Sequence, residues 1–353
     1  MGNQISRWSK QGSRKSSKSK SIAEEKPFSI AKIAPDHVDV DQQPWPCLLI
    51  SHGTNQKPIL TFYNASTEQY QSKLALELVN KTVLKSNGQW LLIQDDINES
   101  DYCILNVVTM EKLQLPRLEE DLELNCHGGY FSLSSQNPTA SEGDCHAYIM
   151  KGADHVNMFW PIGAKEFIRQ ELVELKREDI RPMTAAVFQG KVYYMTGPEL
   201  SLYCSEPEIA PSDKVHLREI ITEEKMNTLL FNKDRCFLLE LCGQLLYIDR
   251  VVSDVRQAMF QILRADLEAS TWEKVNDIGD DYAIFYDDFG AFAACVAGCG
   301  LRGNCVYYPE DDGSLNAYDL GNGGGCFRLL SPLPFTETTS ELRWLLISNI
   351  NSK

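Results

Sequence analysis

Apolar residues along most of this chain fall into strand-length runs cut by Gly, Asn, Asp and Pro. They include WLLIQ (90–94), KVYYM (191–195), LSLYC (200–204), CFLLEL (236–241), QLLYIDRVV (244–252), AIFY (283–286) and NCVYY (304–308). Val, Ile, Tyr and Phe are frequent in them, as pleated strands prefer. Several runs are apolar at consecutive positions, which predicts strands covered on both faces. Two hairpins are legible. One turns at Thr196–Gly197–Pro198–Glu199 and the other at Cys242–Gly243–Gln244. Only AKEFIRQELVELKRED (164–179) has helical spacing, through Phe167, Ile168, Leu172 and Leu175. A twisted outer strand with a polar face fits it equally.

A loose repeat organises these runs. A strand ends on Asn or Asp, a short turn follows, and another strand begins. Clear instances are Asn64, Asn106, Asp266 and Asp319; Asp154 is a weaker mark, and Cys204 holds the same place without an Asx. An Asx side chain can accept from the backbone two residues on and so start the turn. Successive marks lie 42, 48, 50, 62 and 53 residues apart. Such a period in a strand-only chain predicts propeller blades. The expected fold is therefore all-β, a β-propeller of about six blades. A pair of β-sandwiches would give similar strands but needs no period.

The start of the chain breaks this pattern. MGNQISRWSKQGSRKSSKSK carries Arg7, Lys10, Arg14, Lys15, Lys18 and Lys20 and no acid. Residues 1–43 read as a disordered basic tail and polar linker, and 44–349 as the propeller domain. Gly2 and Ser6 match M-G-x-x-x-[ST], the N-myristoylation pattern. One myristoyl chain holds a membrane only marginally, so stable anchoring needs a second signal. The six bases would supply it, at about 1 kcal/mol each near an anionic leaflet. Phosphorylation among Ser9, Ser13, Ser16, Ser17 and Ser19 would weaken that attraction. A Ser- and Arg-rich, acid-free start also resembles an organellar transit peptide, and a basic tail a nuclear import signal.

Charge and cysteine usage narrow the class. The net charge is −15, and with residues 1–20 at +6 the remainder sums to −21. An acidic body repels phosphate, so no nucleic-acid partner is expected. Eleven cysteines, an odd number, without an apolar leader point to reduced thiols inside the cell. No run is long and apolar enough for a transmembrane helix. The expected location is cytoplasmic, at the cytosolic face of a membrane if Gly2 is acylated; organellar and nuclear sites are the alternatives.

Catalytic chemistry finds little support. There is no H-E-x-x-H, G-x-S-x-G, G-x-x-x-x-G-K-[ST] or G-x-G-x-x-G. Cys126–His127 and Cys145–His146 are a weak zinc candidate, because strand neighbours point to opposite faces. Cys295, Cys299 and Cys305 lack the C-x2-C knuckle of zinc ribbons. Cys295, Ala297 and Cys299 are expected to share one strand face as small hydrophobes. Acid clusters at 94–101, 276–288 and 309–314 fit solvated turns better than paired carboxylates for acid–base work. PEDDGS (309–314) is no EF-hand loop, since Tyr308 stands where an acid is needed. No catalytic residue, metal or cofactor is expected.

Three blocks carry a resemblance: GKVYYMTGPELSLY, FQILRADLEASTWEKVNDIGDDYAIF and LRGNCVYYPEDDGSLNAYDLGNG. In order and spacing they resemble the plant F-box-associated β-propeller family of the Kink-Suppressed (KIB) type. PWPCLL and NGQWLLIQDD look like its first blades. The likeness spans about 44–349; it is specific from Phe260 to Gly324 and looser between 125 and 180. It implies a propeller that captures a protein substrate, behind an F-box that docks on a cullin-RING ubiquitin ligase. Residues 1–43 lack the Leu/Ile-rich helical pattern of an F-box, so ligase docking is not carried over. The expectation is a non-catalytic interaction module for an unidentified protein partner, held at an anionic membrane by its tail. The alternatives are a propeller-type hydrolase and a truncated ubiquitin-ligase substrate adaptor.

Overall fold

A computed structural model describes residues 28–29, 45–54, 56–65, 67–117, 130–133, 145–151, 156–172, 182–197, 200–205, 214–222, 235–252, 258–310, 312–321, 325–330 and 341–347. It is a six-bladed β-propeller, with no α-helix among the described residues. The strands fall into six sheets, and the two-residue β1 (Phe28–Ser29) joins the outer edge of the fifth. Blade one holds β2 (Trp45–Thr54), β3 (Lys57–Asn64) and β4 (Gln69–Leu74). Blade two holds β5 (Lys81–Asn87), β6 (Trp90–Asp95), β7 (Tyr102–Asn106) and β8 (Lys112–Gln114). Blade three holds β9 (Tyr130–Leu133), β10 (His146–Lys151), β11 (Val156–Pro161) and β12 (Ile168–Leu172). Blade four holds β13 (Pro182–Phe188), β14 (Lys191–Thr196) and β15 (Ser201–Ser205). Next in the chain, β16 (Lys214–Val215) adds to β12 of blade three, and β17 (Arg218–Ile221) completes blade four.

Blade five is a plain meander of β18 (Cys236–Leu241), β19 (Gln244–Val252), β20 (Ala258–Asp266) and β21 (Thr271–Asp277). Blade six has β22 (Tyr282–Tyr286), β23 (Ala291–Cys295), β24 (Cys305–Pro309), β25 (Leu315–Asp319) and β26 (Gly325–Leu330). Finally β27 (Glu341–Ile347) returns to pair antiparallel with β2 and becomes the innermost strand of blade one. The ring is thus closed by strands from both ends of the propeller.

The consecutive apolar runs have a simple cause. Six apolar clusters each fill one seam between neighbouring blades. Along β6, Leu91 and Ile93 face blade one, whereas Trp90 and Leu92 face blade three. Along β19, Leu245 and Tyr247 face blade four, whereas Leu246 and Ile248 face blade six. Both faces are dry along middle strands such as β7 and β22, and each buried Leu or Ile contributes about 1.5–3 kcal/mol.

The Asx marks work as expected. Asn106 Oδ1 accepts the N–H of Val108 and Thr109 at 2.9 and 3.1 Å. Asp266 Oδ1 accepts those of Glu268 and Ala269 at 3.1 and 2.8 Å. Asp319 Oδ1 accepts Gly321 N–H at 3.0 Å, and Asn64 Oδ1 accepts Thr67 N–H at 3.3 Å. Asp154 lies outside the described residues. It falls between β10 and β11, so it does not mark a third strand as Asn106 and Asp266 do. The Cys242–Gly243 turn has φ of 50° and 70°, and Gln189–Gly190 has 49° and 74°. Positive φ at both central residues is the type I′ hairpin geometry. In the segment with helical spacing, 168–172 form the strand β12.

Blade six departs from the meander. Its chain enters at β22, turns inward to β23, and then crosses to β24, which runs parallel to β22. The crossover (296–304) is tightly fitted. Tyr307 Oη accepts Arg302 N–H and donates to Arg302 O, both at 2.8 Å. A Cβ on Gly303 would overlap the carbonyl of Asp280.

Candidate functional site: the central channel

The innermost strands β5, β9, β13, β18, β23 and β27 enclose an axial channel of about 340 Å³. An innermost strand has one ladder partner, so its inward N–H and C=O groups need other ones. Much of the channel's polar chemistry meets that need by stitching neighbouring blades. Tyr130 Oη accepts Val187 N–H at 3.0 Å, joining blades three and four. Thr184 Oγ1 accepts Leu238 N–H at 3.2 Å, joining four and five. Tyr286 Oη donates to Arg235 O, joining five and six. Leu346 N–H donates to Gly88 O at 3.3 Å, joining blades one and two.

The seam between blades six and one carries the strongest stitch. Asp287 opens the hairpin between β22 and β23. Its Oδ1 accepts Phe289 and Gly290 N–H at 2.7 and 2.9 Å, an Asx turn closed by Asp287 N–H to Gly290 O at 3.0 Å. Its Oδ2 accepts Trp344 N–H from β27 at 2.6 Å. The neighbouring Arg343 stacks its guanidinium 3.5 Å from the Phe289 ring centroid and donates to Val83 O at 2.5 Å. Burial pushes the Asp287 carboxyl up to about 6, although three N–H donors and the Arg343 charge pull the other way. This carboxylate is occupied as an acceptor.

A second buried acid lies behind the wall. Asp249 on β19 is 0% exposed and stands opposite the channel-lining Cys236. Among the described residues neither of its oxygens has a well-formed hydrogen bond, nor has the neighbouring Tyr247 hydroxyl. Burial pushes Asp249 up to about 7, and Arg250 N–H offsets only part of this.

The acid clusters mostly build turns. Asp95 Oδ1 accepts Ile97 and Asn98 N–H, and Oδ2 pairs with Lys81 at 2.6 Å. These partners hold it down at about 2, with the Lys81 hydrogen bond foremost. Asp312 accepts Ser314 N–H at 2.8 Å. Glu310, expected to be only a turn former, takes a double hydrogen bond from Arg250 at 2.8 and 2.9 Å.

The tail residues Gly2, Arg7, Lys10, Arg14, Lys15, Lys18 and Lys20 lie outside the described residues, as do Cys126 and His127. Cys145 is buried, and His146 stacks on Phe159 at 4.6 Å. Among the described residues no three His, Cys, Asp or Glu side chains are grouped to hold a metal. The shared face of Cys295, Ala297 and Cys299 is corrected. The strand ends at Cys295, whose side chain packs toward blade five, while Cys299 packs toward blade one and donates to Val296 O at 3.0 Å. Burial also pushes Cys47 and Cys305 up to about 12 and 11, away from thiolate chemistry. Sequence reasoning missed Tyr130, Thr184, Asp287 and Asp249. Only Asp287 carried a signal, the Asp–Asp–Phe–Gly turn signature, and nothing in it points across to residue 344.

Comparison with known proteins gives a consistent result. The family model described as KIB1-4 beta-propeller matches residues 62–327. A curated relative, "Putative F-box protein At2g04810" of Arabidopsis thaliana, is 22% identical over 280 residues. That alignment covers 66% of this chain and 65% of the relative, so the chain spans under two thirds of the relative's length. Among solved structures, apo AztD from Citrobacter koseri shares 11% identity at a TM-score of 0.42, covering 82% of this chain and 84% of its own. A functionally unknown protein from Desulfotomaculum acetoxidans shares 7% at 0.43, covering 85% and 88%. With the family model matching well over half of its length, this chain belongs to the KIB1-4 β-propeller family, which relates it to F-box proteins.

Proposed function

We propose that this chain is a non-catalytic protein-interaction propeller that works at a membrane surface. The observation that carries the first part is the use of the channel's polar groups. Asp287, Tyr130 and Thr184 hold neighbouring blades together. A hydrolase of the propeller type needs convergent carboxylates free to exchange protons. In this channel the Asp287 oxygens already accept three backbone N–H groups. The loop-rich faces of a rigid ring are suited instead to gripping a partner. The acidic body favours a basic patch on that partner. Kinship with F-box proteins supports a protein substrate rather than a small molecule.

Membrane attachment rests on Gly2 and the six bases of residues 7–20. The test uses the full chain expressed in plant cells, as wild type and as Gly2→Ala. The expected result is an acyl mass on wild type alone, flotation with phosphatidylserine vesicles that Gly2→Ala loses, and one protein recovered stoichiometrically with both. An unacylated wild type would end the membrane part. Recovery of no stoichiometric partner, with hydrolytic turnover of model esters or glycosides, would end the interaction part. Recovery of cullin-RING subunits with wild type would favour the adaptor reading.

A further inference from the structure

The outer edge of blade five is not bare. Within that blade every neighbouring pair of strands is antiparallel, as a meander requires. Yet β21, its outermost strand, also pairs with β1, and this pairing is parallel. Phe28 lies opposite Val275 and Ser29 opposite Asp277, with a register irregularity between them. A parallel partner cannot come from a tight hairpin, so it is supplied by a distant part of the chain. The edge itself is firmly built: Trp272 is buried and donates from Nε1 to Leu200 O at 2.9 Å, fixing β21 to blade four. A rigid edge with open ladder groups is what strand addition uses.

The surroundings of this edge are acidic. Asp266, Glu268, Glu273, Asp277, Asp280 and Asp281 lie on or beside β21, and Glu268, Asp280 and Asp281 are exposed. Arg264 pairs with Asp266 and Glu273, and Lys274 is the one further base within 266–281. The segment that supplies β1 also carries the six bases of residues 7–20, and Lys20 is eight residues before Phe28. Extended chain spans at most about 27 Å over that distance. Glu24 and Glu25 intervene and are followed by Lys26. Lys20 is thereby tethered close to an excess of acids, and the bases from Lys18 back to Arg7 follow it along the same chain; opposite charges so tethered attract, most strongly at low salt.

We infer that the outer edge of blade five is a dock for this chain's own N-terminal segment: residues 28–29 add to β21 as a parallel strand, and the basic stretch 7–20 lies against the acidic strip beside it. The inference is independent of the membrane reading, because it concerns where the tail rests when no surface competes for it. A two-residue ladder is weak by itself, so the charge attraction is what keeps the segment in place. The dock is therefore releasable, and salt or tail phosphorylation frees the edge.

Amide hydrogen exchange of the full-length protein tests this. The readout is the peptide covering 271–277, with the edge strand 218–221 of blade four as internal control. Three proteins are compared: wild type, Phe28→Pro/Ser29→Pro, which removes both strand donors, and a tail with its six bases changed to Glu. At low salt, 271–277 should exchange at least about tenfold faster in both variants than in wild type, with the control unchanged. High salt should speed wild type toward the variants. Equal exchange in all three proteins would overturn the dock. Protection lost in the proline variant but kept with the reversed tail would overturn the electrostatic part. As a check that needs no exchange data, Ser29→Cys/Asp277→Cys should give a 29–277 disulfide on mild oxidation, found by peptide mass. Ser29→Cys/Glu268→Cys should give none, and equal yields of the two links would count against the register.

Discussion

Two aspartates buried to similar depth, Asp287 and Asp249, have opposite surroundings. Asp287 is 3% exposed and accepts three backbone N–H groups beside Arg343. Asp249 is 0% exposed, with both oxygens lacking a well-formed partner. Burial raises both, to about 6 and about 7. What separates them is what their removal would leave behind. Without the Asp287 carboxylate, three backbone donors lose their acceptor and the buried Arg343 guanidinium loses a nearby opposite charge. Without the Asp249 carboxylate, little is left wanting. Burial of a charge therefore says little about its structural value until its partners are counted.

The largest expected effect breaks the first half of this comparison. Asp287→Ala removes the acceptor that ties β27 to the β22–β23 hairpin, and should destabilise the ring by about 4 kcal/mol. Asp287→Asn keeps an acceptor oxygen and should cost about half as much. Equilibrium denaturation with intrinsic fluorescence reads both. Because β27 closes the ring, faster amide exchange should appear first at 341–347 in these variants.

The second prediction has the opposite sign. Asp249→Asn should stabilise the protein at pH 8 by on the order of 3 kcal/mol, since no charge is then held out of water. The pH dependence follows from the same shifts. Both carboxyls titrate higher in the folded state than the usual ~4 of an unfolded chain. Below pH ~4 each is protonated in both states and contributes no pH dependence. Between about 4 and 7 the unfolded chain releases these protons first, so stability falls as pH rises, and above about 7 the loss is complete. Asp95, held at about 2, acts the other way: its stabilisation is full above ~4 and fades as pH falls toward 2. The difference between wild type and Asp249→Asn isolates one group. It should grow from near zero at pH 4 to its full size above pH 7. A flat difference across that range would show that Asp249 titrates normally.

Much of the fold was legible because its signals are local. The Asx residues at 64, 106, 266 and 319 accept from backbone N–H groups within three residues, so short sequence windows contain both partners. The apolar runs announced sheets dry on both faces, and six seams account for them. The inverted start of blade six was not legible. A hairpin between β22 and β23 reads the same whether the second strand lies inside or outside the first. The channel stitches were hidden for another reason. Asp287 and Trp344 are 57 residues apart, and Tyr130 and Val187 likewise 57. Residues so far apart meet only once the ring has closed, and no periodicity encodes the pairing.

The smallest expected effect bears on why Asp249 lacks partners. The Tyr247 hydroxyl is buried beside it and also has no well-formed hydrogen bond among the described residues. Burial pushes the Tyr247 phenol up, and nearby Cys236 and Asp249 add to the shift. The ring itself packs at 6.1 Å from Trp272 within the seam between blades four and five. Tyr247→Phe keeps that packing and deletes only the orphaned hydroxyl. If the two groups are simply unsatisfied, the change should be neutral or stabilise by up to about 1 kcal/mol. It should then leave the pH profile between 4 and 7 as in wild type. If a trapped water bridges Tyr247 and Asp249, removing the hydroxyl takes a partner from that water. The cost would then be about 1 kcal/mol, and the pH-dependent loss would deepen. Chemical denaturation of Tyr247→Phe and of the Tyr247→Phe/Asp249→Asn double variant, at pH 5 and pH 8, separates these outcomes. Additive changes mean two independent orphans, and a coupling beyond about 0.5 kcal/mol means one shared network.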